Sequence, residues 1–170
     1  MIPFRCQLCG ETYLGAEVPD RCPFCGALGA QLIHAALWID YGKVDMSPES
    51  YRSCEQAVQL ELSNAAFYKC CADQAENQVS ASIFKRLHKQ EAEHAELLCK
   101  MMGIEEPPLP LETCSDLDEE NFRESHRREK RAMNFYLRVV KEAPEARLKD
   151  VFRALAEIEN EHLQTSNLFG

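Results

Sequence analysis

The chain has 170 residues, of which 45% are hydrophobic and 28% charged, and its formal net charge is -9. This length allows one well-buried domain, or a medium-sized domain with a small one that needs a metal ion or disulfides to be stable. The acidic balance argues against nucleic acid as a partner, since nucleic-acid binding depends on clustered Lys and Arg. No apolar stretch approaches the ~20 residues that a membrane span requires, and the first residues lack the apolar core of a secretion signal. We therefore expect a cytoplasmic protein without a membrane partner.

Residues 1–36, which we call the cysteine module, carry two short cysteine motifs and no helical periodicity. Cys6 and Cys9 lie in CQLCG, and Cys22 and Cys25 lie in CPFCG. The Gly after each second Cys permits a tight turn whose backbone amides point at the thiolates. Because about 36 residues cannot form a stable core unaided, the motifs predict a tetrahedral four-thiolate metal site. Zinc would make this site structural, whereas iron would make it a one-electron carrier, and the spacing does not distinguish them.

A linker at 37–47 leads into a region of almost continuous helical periodicity, which we predict to be a helical domain over 48–170. Ser47 is the expected N-cap of the first helix, and Pro48 occupies the first helical position. This helix should end at about Glu76.

A second helix is predicted from Ser80 or Ser82 to just before Gly103, whose tolerance of a left-handed backbone suits a C-terminal cap. The gap between the first two helices is short, so they must be antiparallel. Residues 103–115 cannot continue the helix, because their prolines lack donors and clash with the preceding turn. We therefore expect a long connection here.

The third helix is expected to start in the acidic run around Asp116 and to end at Glu142, before Pro144. The fourth should run from about Glu145 to Leu168. Two tight hairpins joined by a long crossover between helices 2 and 3 are typical of a ferritin-like four-helix bundle. The predicted fold is thus mainly α, with the small cysteine module preceding this bundle.

Two segments of the helical region coincide at a constant offset of 68 positions, the separation of Glu61 and Glu129. The first copy contains Glu61, Phe67, Tyr68, Phe84, Leu87, Glu91, Glu93 and His94, and the second contains Glu129, Phe135, Tyr136, Phe152, Leu155, Glu159, Glu161 and His162. The register holds without a gap. It indicates that a helix pair was duplicated together with its acids.

Each copy carries a Glu and a His three positions apart, a spacing that puts both side chains on one face of a helix. The partner helix of each copy adds another Glu. Carboxylates buried in an apolar stripe would cost several kcal/mol each unless they were protonated or bound to cations. The pattern matches the known di-iron or di-manganese bundle arrangement. We predict a two-metal site formed by Glu61, Glu91, His94, Glu129, Glu159 and His162.

Tyr68 and Tyr136 each follow a predicted ligand by seven positions, the separation of Glu61 and Tyr68. Their hydroxyls are expected to orient the carboxylates, although aromatic residues at helical spacing also serve as core packing. Glu93, repeated in the second copy, points away from the ligand face and should be solvent-facing or structural.

His88 and His126 each lie three positions before a predicted ligand, but their repeat counterparts are Ala156 and Val58. This argues against ligation and favours packed or rim histidines, with His126 left open as an extra ligand. His34 is expected at the surface.

Five cysteines lie outside the two motifs. We expect them to be reduced and to behave as small apolar side chains. These are Cys54, Cys70, Cys71, Cys99 and Cys114.

The motifs CxxCG and CPxCG at this spacing resemble the rubredoxin-type domain of rubrerythrins. The segments HKQEAEHAELL and ALAEIENEHLQ resemble the metal-binding second and fourth helices of that family's di-iron domain. Together these regions cover nearly the whole chain. The order, with the rubredoxin-like domain first, is similar to that of the so-called reverse rubrerythrins.

One position departs from the family pattern. Rubrerythrins typically carry a second Glu three positions after the first on the third helix, where this chain has Ala132 after Glu129. We therefore expect a symmetric site with six ligands and no exchangeable carboxylate.

The resemblance implies a non-haem di-iron peroxidase that reduces hydrogen peroxide, or else dioxygen, to water. It implies catalytic roles for the six bundle ligands and for Tyr68 and Tyr136, and electron relay by iron bound to the four module thiolates. Manganese or zinc in the bundle stays open. The resemblance further implies a reductase or rubredoxin as electron donor and a homodimer, in which electrons pass between subunits.

Two alternatives stay open. The first is a ferritin-like ferroxidase or iron-handling protein with a structural zinc in the cysteine module. The second is a non-catalytic electron carrier or redox sensor.

Overall fold

The computed structural model describes residues 1–169, in which four long helices follow a small β-sheet. The strands are β1 (Ile2–Cys6), β2 (Thr12–Gly15) and β3 (Leu32–His34). The helices are α1 (Pro48–Gln74), α2 (Gln78–Met102), α3 (Asp118–Glu142) and α4 (Ala146–Phe169). Within this described part of the chain, no helix combines the length and the apolar character needed to cross a membrane.

The cysteine module is built on an antiparallel sheet with the strand order β2-β1-β3. Phe4 on the central strand pairs with Tyr13 on one side and with His34 on the other. Each cysteine motif forms a tight turn beside this sheet, and the turn glycines Gly10 and Gly26 have positive φ angles of 84° and 82°. The predicted need for Gly after each second Cys is therefore met, because L side chains are strained at such angles.

The ends of α1 and α2 follow local capping chemistry. The Ser47 side chain accepts a hydrogen bond from the amide of Ser50, as expected for the N-cap of α1. Gly103 adopts a left-handed conformation with φ 70° after the end of α2, as predicted. Helix α2 starts earlier than predicted, because the side chain of Asn77 accepts from the amides of Val79 and Ser80.

Helices α1 and α2 pack along one another, as do α3 and α4. Helix α3 starts at Asp118, slightly later than the acidic run around Asp116 suggested, and ends at Glu142 as predicted. The long connection between α2 and α3 runs across the surface from one hairpin to the other. Glu112 fastens it by accepting hydrogen bonds from Ser63 at 2.5 Å and from Arg128 at 3.0 Å.

Cys70 and Cys114 form a disulfide, with their Cα atoms 5.9 Å apart. The expectation that all five remaining cysteines stay reduced was therefore wrong for these two. The long connection brings Cys114 back beside the end of α1, a return that helical periodicity does not reveal. Cys54, Cys71 and Cys99 are free and buried, in agreement with their predicted role as small apolar side chains.

The cysteine module packs against the bundle of its own chain. The indole N–H of Trp38 donates to the carbonyl of Cys6 at 3.0 Å, and the amide of Val44 donates to the carbonyl of Met101 at 2.9 Å. Arg147 on α4 donates to the carbonyl of Gln7 at 2.7 Å. The linker thus lies along the bundle, and the expected passage of electrons between subunits stays a prediction.

Candidate metal centre

Six side chains from the four helices meet in the interior of the bundle. Helix α1 provides Glu61, α2 provides Glu91 and His94, α3 provides Glu129, and α4 provides Glu159 and His162. The carboxylates and His94 are 0% exposed, whereas His162 is 5% exposed. The structure therefore brings together all six residues that the repeat singled out. Their binding of metal stays a prediction.

The six residues form two overlapping groups that could each hold one metal ion. Glu91 and Glu159 belong to both groups, and within each group the ligand atoms lie within 4.8 Å of one another. Glu61 and His94 complete the first group, and Glu129 and His162 complete the second. Glu91 and Glu159 occupy equivalent positions of the repeat, so the duplication accounts for both of the carboxylates that the two groups share.

Each imidazole turns its Nδ1 atom toward the carboxylates. His94 Nδ1 lies 3.5 Å from an oxygen of Glu61 and 3.6 Å from one of Glu159. His162 Nδ1 lies 3.0 Å from an oxygen of Glu91 and 3.1 Å from one of Glu159. The two rings face each other with their centroids 6.2 Å apart. The nitrogen available for a metal is thus the same in both repeats.

Several buried polar atoms of this cluster have no hydrogen-bond partner among residues 1–169. An unpartnered buried polar atom costs free energy, and an unpaired buried carboxylate costs more. Two divalent cations would satisfy these atoms, and imidazole with carboxylate is a donor set used by iron, manganese and zinc. The residues present therefore fit a two-metal centre. The unpartnered atoms include Glu61 Oε2, Glu91 Oε2, Glu129 Oε2, Glu159 Oε1 and His94 Nδ1.

The surroundings shift the pKa values of the four buried acids in two opposite directions. Burial raises the pKa of Glu91 and of Glu159 well above the usual range, and the neighbouring carboxylates raise it further. Burial also opposes ionisation of Glu61 and Glu129, but the facing histidine and a hydroxyl stabilise their charged forms and lower the pKa of each. The surrounding carboxylates also raise the pKa of His162, against the effect of its burial.

Both predicted tyrosine contacts are present, and each crosses to the other hairpin. Tyr136 on α3 donates to Glu61 at 2.5 Å. Tyr68 on α1 donates to Glu129 and also bonds the hydroxyl of Ser125 at 2.7 Å. Burial raises the pKa of both phenols, so they stay protonated and act as donors. The hydroxyls therefore hold one carboxylate oxygen of Glu61 and one of Glu129 in place.

The outer nitrogens of the two histidines have different partners, which the sequence did not reveal. His94 Nε2 lies 2.8 Å from the backbone carbonyl of Cys25 in the cysteine module. His162 Nε2 lies 3.3 Å from Oε1 of the Gln90 side chain on α2. With Nε2–H donating to an oxygen, each ring keeps an unprotonated Nδ1 for a metal. The contact with Cys25 depends on how the module docks, and the contact with Gln90 depends on how α2 packs against α4. No local signal in the sequence encodes either.

The four module cysteines are buried and converge on one point. The Sγ atoms of Cys6 and Cys25 are 3.9 Å apart, as are those of Cys9 and Cys22. A metal–sulfur distance of about 2.3 Å in a regular tetrahedron separates the sulfurs by about 3.8 Å. The observed spacing therefore suits a tetrahedral four-thiolate metal site.

The other candidate residues lie outside both clusters. His88 bonds the carbonyl of Ala65 at 2.8 Å, and neither His88 nor His126 belongs to the groups that could hold a metal in the described structure. His34 is exposed, as expected. Glu161, the repeat counterpart of the half-buried Glu93, pairs with Arg21 at 2.8 Å. It thus fastens the module to α4.

Comparisons with known proteins match both parts of the chain. A family model described as rubrerythrin matches residues 54–167, and one described as the rubredoxin-like domain of rubrerythrin matches residues 4–31. Reverse rubrerythrin-1 from Clostridium acetobutylicum is 26% identical over 114 residues, which cover 61% of this chain and 63% of that protein. The match thus spans less than two thirds of the curated relative.

The fold also resembles a solved structure, a hypothetical protein from Pyrococcus furiosus. Its TM-score is 0.62 at 22% identity, with 70% of this chain and 86% of that chain covered. This likeness confirms the predicted fold class, a helical bundle accompanied here by an N-terminal four-cysteine module.

Proposed function

Because the chain belongs to the rubrerythrin family, we propose that it is a non-haem di-iron oxidoreductase that reduces hydrogen peroxide to water. Dioxygen is the alternative oxidant. Reduction of one peroxide molecule to two water molecules consumes two electrons and two protons. We propose that the electrons pass through the cysteine module.

Iron would supply the redox chemistry, as a pair held by the six bundle ligands and as a single ion held by the four thiolates. Glu91 and Glu159, which belong to both groups, would be available to both ions. Tyr68 and Tyr136 keep the outer carboxylates oriented through their hydrogen bonds. The burial of all four carboxylates excludes bulk water from the reacting centre.

The observation that carries this proposal is the contact between Cys25 and His94. The Cys25 carbonyl lies 2.8 Å from His94 Nε2, so covalent bonds and one hydrogen bond connect a module thiolate with a bundle ligand. A purely structural zinc module would not require a contact with a ligand of the other cluster. The contact therefore favours an electron relay over the ferroxidase alternative.

The test follows the ferric-thiolate absorption after stoichiometric hydrogen peroxide is added to anaerobically reduced, iron-loaded protein. We expect rapid return of the colour in the natural protein and its loss in Glu91→Ala, which lacks a carboxylate that both groups share. Glu93→Ala is the matched control, because it removes a half-buried acid of the same helix outside the cluster. Equal rates in Glu91→Ala and the natural protein would refute the proposal. Zinc in the thiolate site of protein isolated from its natural host would favour iron handling.

We further propose that a reductase or a rubredoxin donates the electrons and that the protein is a homodimer. A cleft of about 380 Å³ beside Cys9, the most exposed of the four module cysteines at 5%, supports a donor site. Arg5, Lys43, Lys100 and Arg147 line this cleft, although the chain as a whole is acidic. Two acids, Glu11 and Asp40, also line the cleft, so its lining carries a net positive charge, which suits an acidic electron carrier.

A further inference from the structure

We propose that Gln90 is a positioning residue that orients the imidazole of His162 and covers the edge of the two-metal cluster by which a small oxidant enters. The entry of an oxidant rests on the proposed function. The orientation of His162 does not. The oxidant would then reach the cluster on the side of His162, and the electrons would reach it on the side of His94.

The two halves of the cluster are equivalent by repeat but not in their surroundings. The outer nitrogen of His94 meets a backbone carbonyl, which belongs to the cysteine turn and cannot rotate away. The outer nitrogen of His162 meets a side-chain amide, which can rotate. His162 is also the one member of the six with measurable exposure in the described structure, at 5% against 0% for the others.

A cleft of about 250 Å³ opens at His162, between the cysteine module and the bundle. Its wall includes Gln90, Gly26 and Cys22, and the ion pair of Arg21 with Glu161 lies at its rim. A water molecule occupies about 30 Å³ of liquid volume, so the cleft is large enough for hydrogen peroxide. Gln90 and His162 line this space together, and the Gln90 amide meets the Nε2 edge of the imidazole.

The turn of the module lies close to Gln90. Gly26 has φ 82°, and a Cβ atom added there would lie 2.7 Å from Nε2 of Gln90 and 3.2 Å from Cγ2 of Ile158. Ile158 is the repeat counterpart of Gln90, so one point of the module touches equivalent positions of both hairpins. An isoleucine cannot accept a hydrogen bond, and on that side the Cys25 carbonyl bonds the histidine instead.

This arrangement gives the Gln90 amide two tasks. Its Oε1 atom accepts from Nε2–H of His162, which leaves Nδ1 free to bind a metal. Rotation of the amide would uncover the ring edge without moving the backbone. Hydrogen peroxide both donates and accepts hydrogen bonds, so it can replace the amide as the partner in the cleft.

The first test is nuclear magnetic resonance of the zinc-loaded full chain with labelled histidine, in which no redox reaction occurs. We expect slowly exchanging Nε2–H signals from His94 and His162 in the natural protein. Gln90→Leu should lose the His162 signal and keep that of His94. Gln90→Glu, which retains an acceptor, and the matched control Ile158→Leu should keep both. A His162 signal that exchanges equally slowly in Gln90→Leu would overturn the positioning role.

The second test measures how strongly dissolved dioxygen, a small paramagnetic molecule, speeds the relaxation of the histidine ring signals in the same zinc-loaded protein. Removal of the covering amide in Gln90→Ala should increase this relaxation rate severalfold for the His162 ring and leave that of His94 unchanged. An unchanged rate would overturn the covering role. Neither readout depends on turnover. If both results are as expected but the peroxide assay fails, the proposed function is refuted and the positioning role of Gln90 is retained.

Discussion

Reduction of the Cys70–Cys114 disulfide is expected to lower the free energy of unfolding by about 4 kcal/mol. This bond joins the end of α1 to the long connection between the hairpins, across a sequence separation of 44 residues. The buried two-metal cluster contains neither cysteine. The perturbation therefore addresses stability rather than ligand chemistry.

The magnitude follows from the chain entropy of the unfolded state. A cross-link that closes a loop of this length removes about 13 cal/mol/K of conformational entropy from the unfolded chain, which corresponds to about 4 kcal/mol at room temperature. In the folded state the connection is also held by Glu112, which binds Ser63 and Arg128. Reduction should therefore leave the folded path of the connection intact and act mainly on the unfolded state.

The assay is equilibrium unfolding by denaturant of the zinc-loaded protein, with and without a phosphine reductant. We expect the reductant to lower the midpoint for the natural protein. It should have no effect on the double variant Cys70→Ala and Cys114→Ala, which provides the matched control. If reduced and oxidised natural protein unfold at the same denaturant concentration, the loop-entropy reasoning is refuted.

Three further predictions concern the cluster and the module. Tyr136→Phe should weaken metal binding by about 10- to 100-fold, measured by calorimetry with zinc; unchanged affinity would exclude the orienting role. Since Glu91 and Glu159 have raised pKa values in the fold, the metal-free fold binds more protons than the unfolded chain at these groups. Their stabilising contribution is present near pH 4 and is lost as pH rises through the raised pKa values. The melting temperature of the metal-free protein should therefore decline as pH rises, and bound zinc should abolish this decline. A melting temperature that rises with pH would contradict the prediction. Gly26→Ala should destabilise the chain by more than Gly42→Ala, because both have positive φ but only Gly26 has close neighbours; equal unfolding midpoints would contradict this.

Helix boundaries and ligand identities could be predicted because they depend on neighbouring residues. The Ser47 cap and the left-handed Gly103 follow from hydrogen bonds within a turn or two of chain. The spacing of Glu91 and His94 places both on one helical face whatever the rest of the chain does. Because the whole set recurs in one register, the sequence alone indicated that four carboxylates and two imidazoles would meet.

Contacts between distant segments depended on the tertiary structure. The return of Cys114 to Cys70 depends on the path of an irregular connection, and the contact of Cys25 with His94 depends on how the module docks on the bundle. The difference between the two histidines arises there too, since a single module covers a duplicated bundle and cannot present the same group to both sides. Periodicity and capping carry no information about such contacts, because their geometry is set by packing between elements that are far apart in sequence.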